Sequence, residues 1–68
     1  MIEAASYKKD GHEFVLFCEI QPNNAPTKWE VVCYRPNGEE HWAVQNNPNT
    51  NAPFTEVEAR AEFDRWRN

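Results

Sequence analysis

The sequence predicts a single α+β domain, in which an antiparallel meander of three or four strands is followed by one C-terminal helix packed on one sheet face. Three observations support this prediction. Two segments rich in β-branched and aromatic residues are separated by turn sequences, an Asn-Gly step follows the second segment, and a capping pattern opens the last stretch. A chain of 68 residues has room for one such domain and too little for a large enclosed active site.

The first two strands are predicted over about residues 3–8 and 13–21. The second is the more apolar and is expected to be a central strand. The first is expected to pair with it through a turn at Asp10 and Gly11, because Asp-Gly is a common dipeptide of tight hairpins. Alternation along the second strand divides its apolar side chains between a face with Phe14, Leu16, Cys18 and Ile20 and a face with Val15 and Phe17.

The third and fourth strands are predicted over about residues 28–35 and 39–45, with a hairpin loop from Pro22 to Lys28 before the third. Alternation places Trp29 on the face of Val31 and Cys33, and Val32 with Tyr34 on the other.

The hairpin between these two strands allows two registers. A two-residue turn at Asn37-Gly38 places Trp42 and Val44 on the face of Cys33, and we expect this register because it builds one strongly apolar core face. A three-residue turn over Pro36, Asn37 and Gly38, with a bulge, accommodates the proline better, but it is expected to send both side chains to the opposite face.

An Asn- and Pro-rich loop over residues 46–53 leads to a helix predicted over about residues 55–67. Thr55 is expected to be the N-cap, and Glu58 its partner in a capping box. A stripe at helical spacing is expected to face the sheet, formed by Ala59, Phe63 and Trp66.

The chain is acidic, with seven Lys and Arg against eleven Asp and Glu and a formal net charge of −4. This balance disfavours direct binding to DNA or RNA, which depends on a cationic surface. The N-terminal residues have no basic start, and no apolar run reaches signal-peptide or membrane-spanning length. We therefore expect a cytoplasmic protein, in which Cys18 and Cys33 are reduced thiols.

No catalytic centre, cofactor site or metal site is predicted. Four side chains have the ligand types of a structural zinc site, but the intervals of five, fourteen and seven residues between them do not match its tight ligand pairs: His12, Cys18, Cys33 and His41. The two cysteines could instead lie opposite each other across a hairpin as small buried apolar residues. A contact between Cys33 and His41 is the only candidate for a nucleophile and its base.

The apolar side chains exceed what one helix can cover, unless the N-terminal residues or the Asn-rich loop fold over the second face. We therefore predict a protein-binding module without catalytic activity, an inhibitor or adaptor that binds a larger protein or nucleoprotein complex. Trp, Tyr and Arg are enriched at the energetic centres of such interfaces. The candidate contact residues are Phe17, Tyr34, Arg35, Trp29, Glu30 and Arg67.

Two alternatives use the same features. Phe17 and Tyr34 could stack on the bases of a single-stranded nucleic acid, with Lys28, Arg35 and the Lys8-Lys9 pair nearby. Glu19 and Glu30 would border the same surface and oppose the phosphates. An edge strand could pair with a second copy of the chain, so either a monomer or a homodimer is expected. In size and character alone, and as an analogy, the chain is similar to accessory proteins of phages and mobile elements that block a host complex by binding it.

Overall fold

Four antiparallel strands lie side by side in chain order and are followed by one helix, in a computed structural model that describes residues 1–23 and 26–67. The elements are β1 (Ile2–Lys9), β2 (His12–Ile20), β3 (Pro26–Tyr34), β4 (Glu40–Val44) and α1 (Glu56–Arg65). The helix packs against β2 and β3. The predicted α+β meander is confirmed, with four strands rather than three.

The predicted boundaries differ from the observed ones by one or two residues. β3 begins at Pro26, earlier than the predicted residue 28, and a proline is tolerated at the first position of a strand. Pairing extends this far because Lys28 lies opposite Glu19 and Pro26 opposite Ile20. The predicted loop from Pro22 to Lys28 includes residues 24 and 25, which lie outside the described residues.

The turn between β1 and β2 has the predicted form. Asp10 and Gly11 both have positive φ angles, 53° and 80°, and Lys9 lies opposite His12. Two successive left-handed residues define the type I′ turn that matches the twist of paired strands. A side chain at Gly11 would also be crowded, since an added Cβ would lie 3.1 Å from Pro36 Cγ.

The turn between β3 and β4 combines the two registers allowed by the sequence. The N–H of Arg35 donates to the carbonyl of Glu39 and the N–H of Gly38 donates to that of Arg35, so the turn has three residues and the expected two-residue turn is wrong. Even so, Trp42 lies opposite Cys33 on the core face, as expected. A bulge at His41 explains both results. The longer turn shifts the alternation of side chains in β4 by one residue, and the extra residue at His41 shifts it back.

The core lies between α1 and the sheet face that carries the odd-numbered residues of β3. Its buried members are Phe14, Leu16, Cys18, Trp29, Val31, Cys33, Phe54, Ala59 and Phe63. Ala59 and Phe63 face the sheet as predicted, whereas Trp66 follows the end of α1, is 43% exposed and lies with its ring 6.2 Å from that of Trp42. The hydroxyl of Tyr7 donates to the carbonyl of Phe63 at 2.8 Å and connects β1 to the helix.

The predicted capping box is present at the start of α1. The N–H of Glu58 donates to Thr55 Oγ1 at 3.2 Å, and the N–H of Thr55 donates to Glu58 Oε1 at 3.0 Å. Glu58 also accepts from the side-chain amide of Asn47, which joins the Asn-rich loop to the helix. Phe54, the residue after that loop, is buried in the core.

Candidate partner-binding face

The sheet face opposite α1 is called here the open face. Strand pairing arranges its side chains in rows that cross the sheet. From the turn end of β1 and β2 towards the other end, the rows are Lys8, Glu13, Tyr34 and Glu40; then Ser6, Val15, Val32 and Ala43; then Glu3, Phe17 and Glu30; and last Glu19 and Lys28.

The centre of the open face is apolar. Val15 and Val32 lie directly opposite each other and are each 2% exposed. Phe17 and Tyr34 are half-buried on either side of this pair. Tyr34 lies opposite Glu13, and Glu13 is four residues from Phe17 on β2. The rings of Phe17 and Tyr34 are therefore roughly 13 Å apart along the strands, so they flank the valines and do not stack on each other.

Neither segment that could cover the open face does so within the described part of the chain. The N-terminal residues form β1 at the edge of the sheet, and the Asn-rich loop bonds to α1 through Asn47 and Glu58. Because the helix and Phe54 pack on the other face, the low exposure of Val15 and Val32 comes from neighbouring side chains within the sheet.

The border of the open face is acidic. Its rows carry five carboxylates, Glu3, Glu13, Glu19, Glu30 and Glu40, against two lysines, Lys8 and Lys28. Lys28 lies 3.9 Å from Glu19, and Glu30 accepts a hydrogen bond of 2.7 Å from the Gln45 amide. Each aromatic ring therefore has a carboxylate as its direct neighbour across the strands, Glu30 for Phe17 and Glu13 for Tyr34.

An open groove of about 370 Å³ lies at one end of this face. Lys8, Glu13 and Tyr34 line it together with Arg35 and Pro36 of the following turn. The guanidinium of Arg35 donates to His41 Nδ1 at 3.3 Å through Nε, which holds Arg35 at the border of the groove. The groove places a cation, a carboxylate and an aromatic ring within one concave surface.

The six predicted contact residues do not form one surface. Phe17, Tyr34 and Glu30 lie on the open face, and Arg35 lies at its end. Trp29 is 6% exposed in the core opposite Cys18, with the Arg60 guanidinium 5.6 Å from its ring centre.

Arg67 lies past the C-terminal end of α1, where its guanidinium is 4.7 Å from the ring centre of Tyr7 and 3.5 Å from the Asp64 carboxylate. Tyr7 packs against the core face, so Arg67 and Trp29 both belong to the helix side of the sheet. The alternation of side chains along β3 had already placed Trp29 on the same face as Cys33, which was a reason to leave Trp29 out of the contact residues. The carboxylates Glu3, Glu13 and Glu40 were missed, although the strand register set by the Asp-Gly turn would have placed Glu13 beside Lys8.

The two cysteines are not neighbours. Cys18 lies opposite Trp29 and Cys33 lies opposite Phe14, so the thiols are four residues apart along the strands, roughly 13 Å. The suggestion that they lie opposite each other is wrong. Burial raises the pKa of the Cys33 thiol, which favours its protonated, unreactive form.

The two histidines lie closer together than the two cysteines. The ring centres of His12 and His41 are 6.0 Å apart, and both residues line a shallow groove with Cys33. Within residues 1–23 and 26–67, no three His, Cys, Asp or Glu side chains are grouped so that they could hold a metal ion.

None of the described helices is both long enough and apolar enough to cross a lipid bilayer. Comparison of the chain with protein-family models, with curated proteins and with solved structures gives no match.

Proposed function

We propose that this chain is a protein-binding module without catalytic activity, an inhibitor or adaptor whose open face binds a larger protein or nucleoprotein complex. The observation that carries the proposal is the composition of that face. Val15 and Val32 form an apolar centre, half-buried Phe17 and Tyr34 flank it, and five carboxylates against two lysines surround it.

The chemistry of the face defines the partner surface that would fit it. Aromatic side chains at the centre of an interface supply most of the binding energy when a partner excludes water from them. Carboxylates around that centre attract Lys and Arg and speed association with a basic surface. The proposed partner therefore presents an apolar group surrounded by basic residues.

Binding of a single-stranded nucleic acid would use the same two aromatic rings. Bases could stack on Phe17 and Tyr34, but the phosphates between them would pass Glu30 and Glu13. Because phosphate contacts require cationic side chains, this arrangement favours a basic protein over a nucleic acid. Recovery of nucleic acid in the experiment described below would therefore contradict the proposal.

The proposal places the protein in the cytoplasm. Cys18 and Cys33 are both free and buried, and their positions in the sheet keep the thiols apart. A domain held together by its core without a disulfide suits a reducing compartment.

The test is quantitative capture from a nuclease-treated cell lysate with three forms of the tagged chain. These are the wild type, a double variant Phe17→Ser with Tyr34→Ser, and the control Val57→Ser. Val57 is 78% exposed on α1, so its replacement removes an apolar surface group far from the open face. Circular dichroism first checks that all three forms are folded.

The proposal predicts a protein that the wild type and Val57→Ser recover equally and that the double variant loses. It also predicts that recovery falls as salt rises, because carboxylates contribute to the encounter. Equal recovery by all three forms, loss with Val57→Ser alone, or recovery of nucleic acid in place of protein would each overturn it.

A further inference from the structure

The two edges of the sheet differ in length, although each contains a bulge. β4 has five residues, with its bulge at His41. β1 has eight residues and, among the strands of residues 1–23 and 26–67, pairs on one side only, with β2. An edge of this length presents a row of backbone N–H and C=O groups to another strand, so β1 is the stronger candidate for pairing with a further chain.

A bulge in β1 changes the face on which its first residues lie. Glu3 lies opposite Phe17 and Lys8 lies opposite Glu13, so both belong to the open face. Residues five apart in a regular strand would lie on opposite faces. The irregularity between Glu3 and Ala5 removes one step of the alternation and brings the two opposite charges to the same face.

This arrangement makes β1 complementary to itself. In one antiparallel register of two β1 strands, Ser6 of each copy lies opposite Ser6 of the other, and Ala4, the extra residue of the bulge, has no partner. Glu3 of each copy then lies opposite Lys8 of the other. The same register places the small Ala5 opposite the large Tyr7 on the core face. Opposite charges that face each other across antiparallel strands stabilise the pairing.

We propose that β1 pairs with β1 of a second copy of this chain, and that the product is a twofold symmetric dimer with a continuous eight-stranded sheet. Glu3 and Lys8 are both exposed, and among the described residues neither takes part in an ion pair within its own chain. The helix packs over β2 and β3, and Tyr7 and Lys9 contact its C-terminal end through side chains, so within the described residues no strand pairs with the outer edge of β1.

The dimer has a defined geometry. Since residues that lie opposite each other share a face, both open faces lie on one side of the extended sheet and both helices on the other. The dimer is independent of the proposed function, because it requires only the purified chain and no partner.

The test is sedimentation velocity of the purified wild type and of two single variants, Glu3→Lys and Lys8→Glu. Each variant places like charges opposite each other twice in its own dimer, so we expect its dissociation constant to rise about tenfold. An equimolar mixture of the two variants restores both attractive pairs in a mixed dimer and should recover wild-type association. Glu39→Lys, which makes the same charge change in the turn between β3 and β4, should dimerise like the wild type.

The mixture separates specific pairing from a general effect of net charge. A wild type that is monomeric at millimolar concentration would overturn the proposal. So would a dimer that both single variants form as tightly as the wild type, or a mixture that associates no better than its components.

Discussion

Cys33 lies directly opposite Trp42 across β3 and β4, although a turn of three residues joins these strands. The turn alone would send Trp42 to the open face. His41 is the extra residue that returns it to the core, so one bulged position in β4 decides which face of the sheet the last strand completes.

Deletion of His41 should therefore leave the fold intact. The deletion removes the extra residue, so Glu40 stays opposite Tyr34 and Trp42 stays opposite Cys33 in regular pairs, and it should cost less than about 1 kcal/mol of unfolding free energy. Deletion of Ala43 instead places Val44 opposite Val32 on the open face, and it should cost about 1–3 kcal/mol because Val44 is partly buried against the core. Urea denaturation measures both, and equal losses would contradict the role of the bulge.

The helix cap should weaken in acid. The backbone N–H of Thr55, and next the side-chain amide of Asn47, lower the pKa of the Glu58 carboxyl below its ordinary value of 4.5. A lowered pKa in the folded state adds stability above pH 4.5, and this stability is lost as the pH falls through the folded-state pKa.

The measurement compares the wild type with Glu58→Gln, which has no titrating carboxyl at this position. The wild type should be the more stable at pH 7, and the difference between their urea midpoints should shrink by pH 3. A difference that stays constant between these pH values would show that the charge of Glu58 does not support the cap.

Tyr7→Phe should cost about 1 kcal/mol of unfolding free energy, because it removes the hydrogen bond from the Tyr7 hydroxyl to the Phe63 carbonyl and retains the ring. The ring stays stacked on Phe14, with centroids 4.8 Å apart. Tyr34→Phe is the matched control on the open face and should change the stability by less than about 0.5 kcal/mol. Equal effects of the two substitutions in thermal or urea denaturation would contradict the assigned role of Tyr7.

Substitutions along α1 should separate its buried side from its exposed side. Phe63→Ala should cost about 3–5 kcal/mol, since Phe63 is buried in the core. Val57→Ala should change the stability by less than about 0.5 kcal/mol, because Val57 is 78% exposed. If chemical denaturation gave comparable losses, the helix would have to pack with a different side against the sheet.

Local signals in the sequence accounted for much of the fold. The Asp10-Gly11 turn and the capping box of Thr55 and Glu58 depend on residues within a few positions of each other, and both were predicted correctly. The bulge in β1, and the position of the bulge at His41 that keeps Trp42 on the core face, have no comparable signal, because each arises where strand pairing, turn geometry and core packing must be satisfied together. The bond between Tyr7 and Phe63 joins residues 56 positions apart and follows only from the tertiary fold.

The candidate site was predicted in part. Alternation correctly grouped Val15 with Phe17 and Val32 with Tyr34 on the face that the helix does not cover. Glu19 and Glu30 were expected to border this face, but Glu3, Glu13 and Glu40 were not, because their positions depend on which residues of neighbouring strands lie opposite each other. The position of Arg67 on the helix side of the sheet could not be predicted, because it depends on how the chain leaves α1, where its guanidinium lies over Tyr7.

The central claim is that the open face is the binding surface, and amide chemical-shift mapping by NMR tests it most directly. The ¹⁵N-labelled chain is titrated with the purified protein that the wild type captures and the Phe17→Ser, Tyr34→Ser variant does not. If the open face is the binding surface, the perturbed amides concentrate on β2 and β3, around Val15, Phe17, Val32 and Tyr34. Perturbations concentrated on the exposed side of α1, around Val57, with the amides of β2 and β3 unchanged, would contradict it.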